Sequence, residues 1–296
     1  MLKSSYKQSS WNPQFFEQGG LFDLFQPWAK WIVQHREAFP SLEELSALLS
    51  GFSGDPIVSG GGFPVTLVRQ QRVGRGARRD LGWRADYQMR IFLSGEVPSR
   101  PNNWHDFFNA CSWLFFPRSK AALNLRHFVC ADELYGFPWR RCAGNRSAEQ
   151  DFLTLFDEGG LVVVCEADDL WQLIQERRWV ELFLENRDRL VKEVIFLPVG
   201  HALFECALAG NPKIHASAIR VRATPSKLKK SKGHLSPEAL ALIDELLSRE
   251  LVRRTAYSNS HSLCALPIWG IPGWDRKSED AHFFQDSSYF RSSLYK

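Results

Sequence analysis

The chain has 296 residues, with 44% apolar and 24% charged side chains, which is ordinary globular usage and excludes the charge-rich, apolar-poor regime that keeps chains unfolded. A formal net charge of +4 permits a phosphate-bearing partner without requiring one. The opening MLKSSYKQSS lacks the apolar core of a secretory signal, and the longest apolar candidate, residues 194–210, is interrupted by Pro198, His201 and Glu205, so a soluble, cytoplasmic chain with no membrane partner is expected. The six cysteines, Cys111, Cys130, Cys142, Cys165, Cys206 and Cys264, form no CxxC pair and read as buried thiols of a reducing compartment. The 22 Phe and 11 Trp point to a bulky core in preference to a ring-lined cleft.

In chain order, Ser41 and Glu44 form a capping box ahead of an amphipathic helix with Leu45, Leu48 and Leu49. Residues 51–63 are a glycine-rich loop, residues 64–68 a short strand, and residues 69–79 a basic loop carrying Arg69, Arg72, Arg75, Arg78 and Arg79. Asn102 or Asn103 caps a helix running to about Phe115, and Pro117 opens a second helix after a tight corner. Both helices are apolar enough to be buried, yet the first carries His105, Asn109 and Ser112 and the second Lys120, Asn124 and His127, two polar stripes that need partners and are expected to meet. Residues 152–165 read as a β-hairpin turning on Gly159-Gly160. A helix follows from about Asp168 to Arg189, then a strand over 191–199, then a helix starting after Gly200.

The fold class is therefore α/β or α+β: a mixed sheet with a β-hairpin and flanking helices, plus the buried helix-corner-helix segment. Residues 1–222 are assigned to one main domain and residues 223–236 to an exposed basic linker. Residues 237–296 form a C-terminal helix from Ser236-Pro237 to about Arg254 and an aromatic-rich tail that packs back on the body.

GEVPSRPNNWHDFFNACSWLFFPRSKAALN, then LTLFDEGG, GHALFE, GIPGW and SSYFR, taken in this order over roughly residues 83–291, resemble the bacterial family catalogued as domain of unknown function 3025. Gln88 stands where that family usually has Glu, and Phe284-Gln285 where Tyr-Asp is typical. The resemblance implies no activity, and any shared site would be built from the NWHD, FDE and GHAxxE segments.

His105 and Asp106 lie in the first turn of a helix, where unpaired N–H groups and the dipole favour an anion; structural capping is the competing reading. His201 and Glu205, one turn apart after a strand and a glycine, face one side and could bind a divalent metal, act as base and orienter, or share a structural hydrogen bond. Asp157, next to Glu158, reads as a turn acid, a metal ligand or a base, and if buried it needs a partner such as His105 or His201.

The expected catalytic set is His105, Asp106, Asp157, His201 and Glu205. Asn103, Asn109, Asn124 and His127 are expected to hold a ligand or cofactor, and His201, Glu205 and Asp157 a divalent metal ion. The leading functional expectation is a hydrolase-like enzyme acting on a phosphorylated or nucleotide-like substrate. The alternatives are a binder of nucleic acid or an acidic partner through the arginine loop and lysine linker, and an architectural polar core.

Overall fold

The aromatic-rich N-terminal stretch folds inward as two 3-10 turns, Phe15–Gln18 and Gly20–Trp28, which bury Phe15, Phe16, Phe22 and Phe25 in the computed structural model; residues 10–51, 56–71, 82–136, 146–228 and 235–291 are described. The arginine loop from Arg72 onward, residues 229–234 of the lysine-rich linker and Cys142 lie outside the described residues.

Helix α1 (Ala29–Gln34) leads to α2 (Leu42–Gly51), whose start has the expected capping box: Glu44 N–H donates to Ser41 Oγ at 3.1 Å and Ser41 N–H to Glu44 Oε2 at 2.8 Å. Strand β1 (Thr66–Arg69) pairs in parallel with β2 (Glu96–Ser99), and α3 (Tyr87–Ser94), capped by Asp86, crosses between them. The predicted corner is present. Asn103 caps α4 (Trp104–Phe115), one residue intervenes, and Pro117 is the first residue of α5 (Pro117–Tyr135).

The expected hairpin at 152–165 is absent. Residues Ala148–Gly159 form a helix, α6, and only Gly160–Cys165 is a strand, β3. Ser147 and Gln150 close a capping box at its start, and Phe152, Leu153 and Phe156 are buried while Leu155 is exposed, an amphipathic pattern of helical period. The expected single helix from 168 to 189 is also broken: α7 (Asp168–Gln175) ends in a left-handed residue, a π-turn spans Glu181–Glu185, and α8 (Arg187–Glu193) follows. Strand β4 (Val194–Pro198), helix α9 (His201–Leu208), strand β5 (His215–Val221), helix α10 (Pro237–Leu251) and strand β6 (Cys264–Pro267) complete the chain of regular elements.

The main sheet is mixed, in the order β4-β3-β5-β6, with β3 antiparallel to β4, parallel to β5, and β5 antiparallel to β6. All six residues of β3 are buried, which is why its run is uniformly apolar with no alternation. Helices flank the sheet, so the class is α/β. One continuous core joins the N-terminal aromatics, both corner helices, the sheet, α10 and the tail residues Phe284, Tyr289 and Phe290. Within the described part of the linker, Pro225 and Leu228 are buried.

Two contacts set α4 against α9. The Phe108 and Phe204 rings pack with centroids 5.3 Å apart, and Ser112 Oγ donates to the Val199 carbonyl at 3.0 Å. Gly200 makes this approach possible through space and not through unusual dihedrals. Its φ of −69° is ordinary, but an added Cβ would lie 2.4 Å from the Glu158 carbonyl oxygen.

Candidate functional site

Because α4 and α9 pack through Phe108 and Phe204, side chains one turn N-terminal on each helix meet. His105 Nδ1 is 3.0 Å from Glu205 Oε2, and His105 Nε2 is 3.1 Å from His201 Nε2, so both nitrogens of one imidazole are gripped by i and i+4 residues of α9. The two rings are nearly perpendicular, at 87°. The His105 and Glu205 side chains keep 31% and 22% of their exposure, so solvent and small molecules reach the dyad, whereas His201 is buried. A carboxylate only accepts, so His105 Nδ1 carries the hydrogen and, in the neutral ring, Nε2 is the lone-pair base. Burial, with Lys120 and His105 adding to it and Asp157 opposing, depresses the His201 pKa to about 3, so His201 is neutral and its Nε2–H is the donor toward His105. His201 Nδ1 makes no hydrogen bond among the described residues.

Behind this dyad is a buried network. Lys120 Nζ donates to Asp157 Oδ1 at 2.5 Å and to Asn109 Oδ1 at 2.9 Å, and Asn109 Nδ2 donates to the Tyr87 hydroxyl at 2.8 Å. The Lys120 ammonium also lies 5.3 Å from the Trp113 ring centroid. Burial alone would raise the Asp157 pKa, but Lys120 holds the carboxyl below its usual range. The Tyr87 hydroxyl is pushed well above its usual range by burial and the Asp157 charge. Glu158 is raised by burial and by Asp157, against the pull of His105.

The expected residues thus divide. His105, His201, Glu205, Asp157 and Asn109 come together. The predicted meeting of the two corner helices occurs, but through Lys120, not through Asn124 or His127. Asp106 is saturated: its carboxylate takes the Arg100 N–H, Nε and Nη2 at 2.6, 2.8 and 2.9 Å, which pins the end of β2 to the start of α4. Asn103 Oδ1 is spent on the α4 cap, accepting from Asp106 N–H at 3.1 Å. Asn124 joins the Gly60 N–H, the Gln88 carbonyl and the Gln88 side chain. His127 is buried with Nε2 making no hydrogen bond among the described residues, and desolvation lowers its pKa to about 4.

The expected metal set of His201, Glu205 and Asp157 is not assembled. Glu205 turns to His105, Asp157 is held by Lys120, and among the described residues no three His, Cys, Asp or Glu side chains are grouped to hold a metal ion. Three further side chains, not expected from the motifs, join the cluster: Lys120, Tyr87, and Arg100, whose guanidinium stays about half exposed and is held in its charged form by Asp106 and, more weakly, by Glu205. The signal for Lys120 was a lysine on an otherwise apolar, buried helix, which demands a counter-charge.

A cavity of about 990 Å³ lies elsewhere, walled largely by apolar residues of the Gly20–Trp28 turn, the α4-α5 corner, β4 and α10, and none of the cluster residues line it. No described helix is long and apolar enough to cross a membrane. No curated protein and no solved structure matches the chain. A family model for a protein of unknown function, DUF3025, matches residues 76–293, which contain every residue of the cluster. Since the match covers most of the chain and includes each of the five segments that suggested the resemblance, this protein belongs to the DUF3025 family.

Proposed function

We propose that the protein is a cytoplasmic enzyme of hydrolytic type acting on a small phosphorylated or otherwise anionic substrate, with His105 as general base and acid. The observation that carries this reading is the partly exposed imidazole oriented by a carboxylate on Nδ1, against a buried, neutral second histidine. Glu205 holds the tautomer that leaves Nε2 basic and stabilises the imidazolium when a proton arrives. His201 occupies Nε2 in the resting site and is displaced by the attacking water or substrate hydroxyl. Arg100, fixed by Asp106 and half exposed, offers charge to the anionic group of the substrate. The free thiols of Cys111, Cys130, Cys165, Cys206 and Cys264 fit a reducing compartment.

The test is turnover of p-nitrophenyl phosphate, nucleoside monophosphates and p-nitrophenyl esters by the wild type, His105→Asn and His201→Asn. Hydrolysis of one class, reduced about a hundredfold or more in His105→Asn with an unchanged melting temperature, supports the reading. An architectural role draws on one specific fact, that both nitrogens of His105 are already engaged. Absence of turnover together with a lowered melting temperature in His105→Asn would favour that role.

A further inference from the structure

At the C-terminal end of α7 the chain places an arginine where helices ordinarily place glycine. Arg178 N–H bonds back to the Leu173 carbonyl at 2.9 Å and Arg177 N–H to the Ile174 carbonyl at 3.2 Å, the paired bonds of a Schellman motif with Arg177 at its left-handed position. The Arg177 φ is +55°, and it is one of only two described non-glycine residues with positive φ. An L-residue held there costs about 1–2 kcal/mol relative to glycine, so the side chain has to earn its place elsewhere.

That side chain lines a cavity of about 410 Å³ together with Lys213, His215, Ser288 and Arg291. The far wall is the SSYFR segment, and it is tied down. The Tyr289 hydroxyl donates to the Ile214 carbonyl at 2.8 Å, His215 Nε2 donates to the Tyr289 carbonyl at 2.9 Å, and the buried Trp179 indole donates to the Arg291 carbonyl at 2.9 Å. Lys213 already pairs with Asp286 at 3.0 Å, but among the described residues neither Arg177 nor Arg291 has an ion-pair partner. Two exposed arginines without an ion-pair partner among the described residues therefore line one concave space, with Lys213 and Ser288 at its edge, both bonded to the Asp286 carboxylate. Their charges also act on the imidazole, since burial and then Arg291 and Arg177 lower the His215 pKa. The volume is that of a small-ligand site, too small for a folded partner's surface. Planar guanidinium forks match the oxygens of a phosphate.

We infer that this cavity is a binding site for a small phosphate monoester, held by Arg177 and Arg291, separate from the histidine cluster. None of the cluster residues line the cavity, and the inference does not rest on the enzymatic reading.

The experiment is calorimetric titration of inorganic phosphate at constant ionic strength, with melting temperatures measured alongside, on the full chain and on Arg177→Gly, Arg291→Ala and His105→Asn. Wild-type protein is expected to bind phosphate saturably. Arg177→Gly and Arg291→Ala each weaken binding about tenfold or more, the loss of one charge-assisted contact. Arg177→Gly should melt no lower than wild type without phosphate, because glycine relieves the backbone. Absence of saturable binding to the wild type, or unchanged affinity in Arg177→Gly, would overturn the site. Loss of binding in His105→Asn alone would move the phosphate to the other cluster and also overturn it. A short single-stranded oligonucleotide binding more tightly than phosphate, and losing affinity in the same variants, would replace the small ligand with nucleic acid.

Discussion

Lys120 on α5 and Asp157 on the last turn of α6 form an ion pair at 2.5 Å with their side chains only 4% and 12% exposed. Two charges this far from water hold each other in place, and neither tolerates the loss of its partner. Lys120→Met is expected to destabilise the protein by about 3–5 kcal/mol in urea unfolding, because it leaves an uncompensated buried carboxylate. The double variant Lys120→Met, Asp157→Leu should recover most of that loss. If the single and double variants are equally unstable, the pair does not govern stability here.

Glu205→Gln keeps an acceptor for His105 Nδ1 but removes the charge. On a substrate that the wild type turns over, kcat is expected to fall about tenfold or more with little change in KM. An unchanged kcat would contradict the dyad.

Stability should fall as pH drops from neutrality. His127 and His201 have folded-state pKa values near 4 and 3 against an ordinary 6.5, and His215 is shifted in the same direction. Between about pH 6.5 and 4 the unfolded chain binds protons that the folded chain refuses, so unfolding takes up protons and each such histidine steepens the loss by up to about 1.4 kcal/mol per pH unit. Urea unfolding at pH 7, 6 and 5 measures the slope, and His127→Leu should flatten it. A slope of zero, or stability that rises on acidification, would show that these imidazoles are charged in the native state.

Gly200→Ala tests the approach of α9 to the start of β3. The added methyl would lie 2.4 Å from both the Glu158 carbonyl oxygen and the Gly160 nitrogen, so backbone has to move. Destabilisation of about 1–3 kcal/mol is expected, with loss of whatever activity His201 and Glu205 support, since both follow on the displaced helix. An unchanged unfolding midpoint would mean that the contact is relaxed at no cost.

Local chemistry made some of this fold legible before any coordinates. The helix corner followed from Asn103 as a cap and Pro117 at a first helical position, because both act within one turn of chain. The i, i+4 relation of His201 and Glu205 followed in the same way. The misreading of residues 152–158 as the first strand of a hairpin arose at FLTLF, whose aromatic and branched residues suit a strand, whereas the Ser147–Gln150 capping box upstream starts a helix.

Sequence by itself determined that the chain folds, that it carries the five segments of its family, and that His105, Asn109 and Lys120 occupy apolar helices where polar groups need partners. Tertiary packing decided which partners they found. Phe108 against Phe204 and Ser112 against the Val199 carbonyl bring α4 to α9, and so place His105 beside a glutamate 100 residues away. The same packing gave Asp157 a lysine in place of the expected histidine, and used up Asp106 on Arg100. Spacing along the chain constrains neighbours within a helical turn, whereas contacts between elements depend on how their apolar faces close over one another. That closure gathered one cluster of polar groups in which Glu205 is taken by His105 and Asp157 by Lys120, so the metal-ligand set expected from the motifs did not assemble.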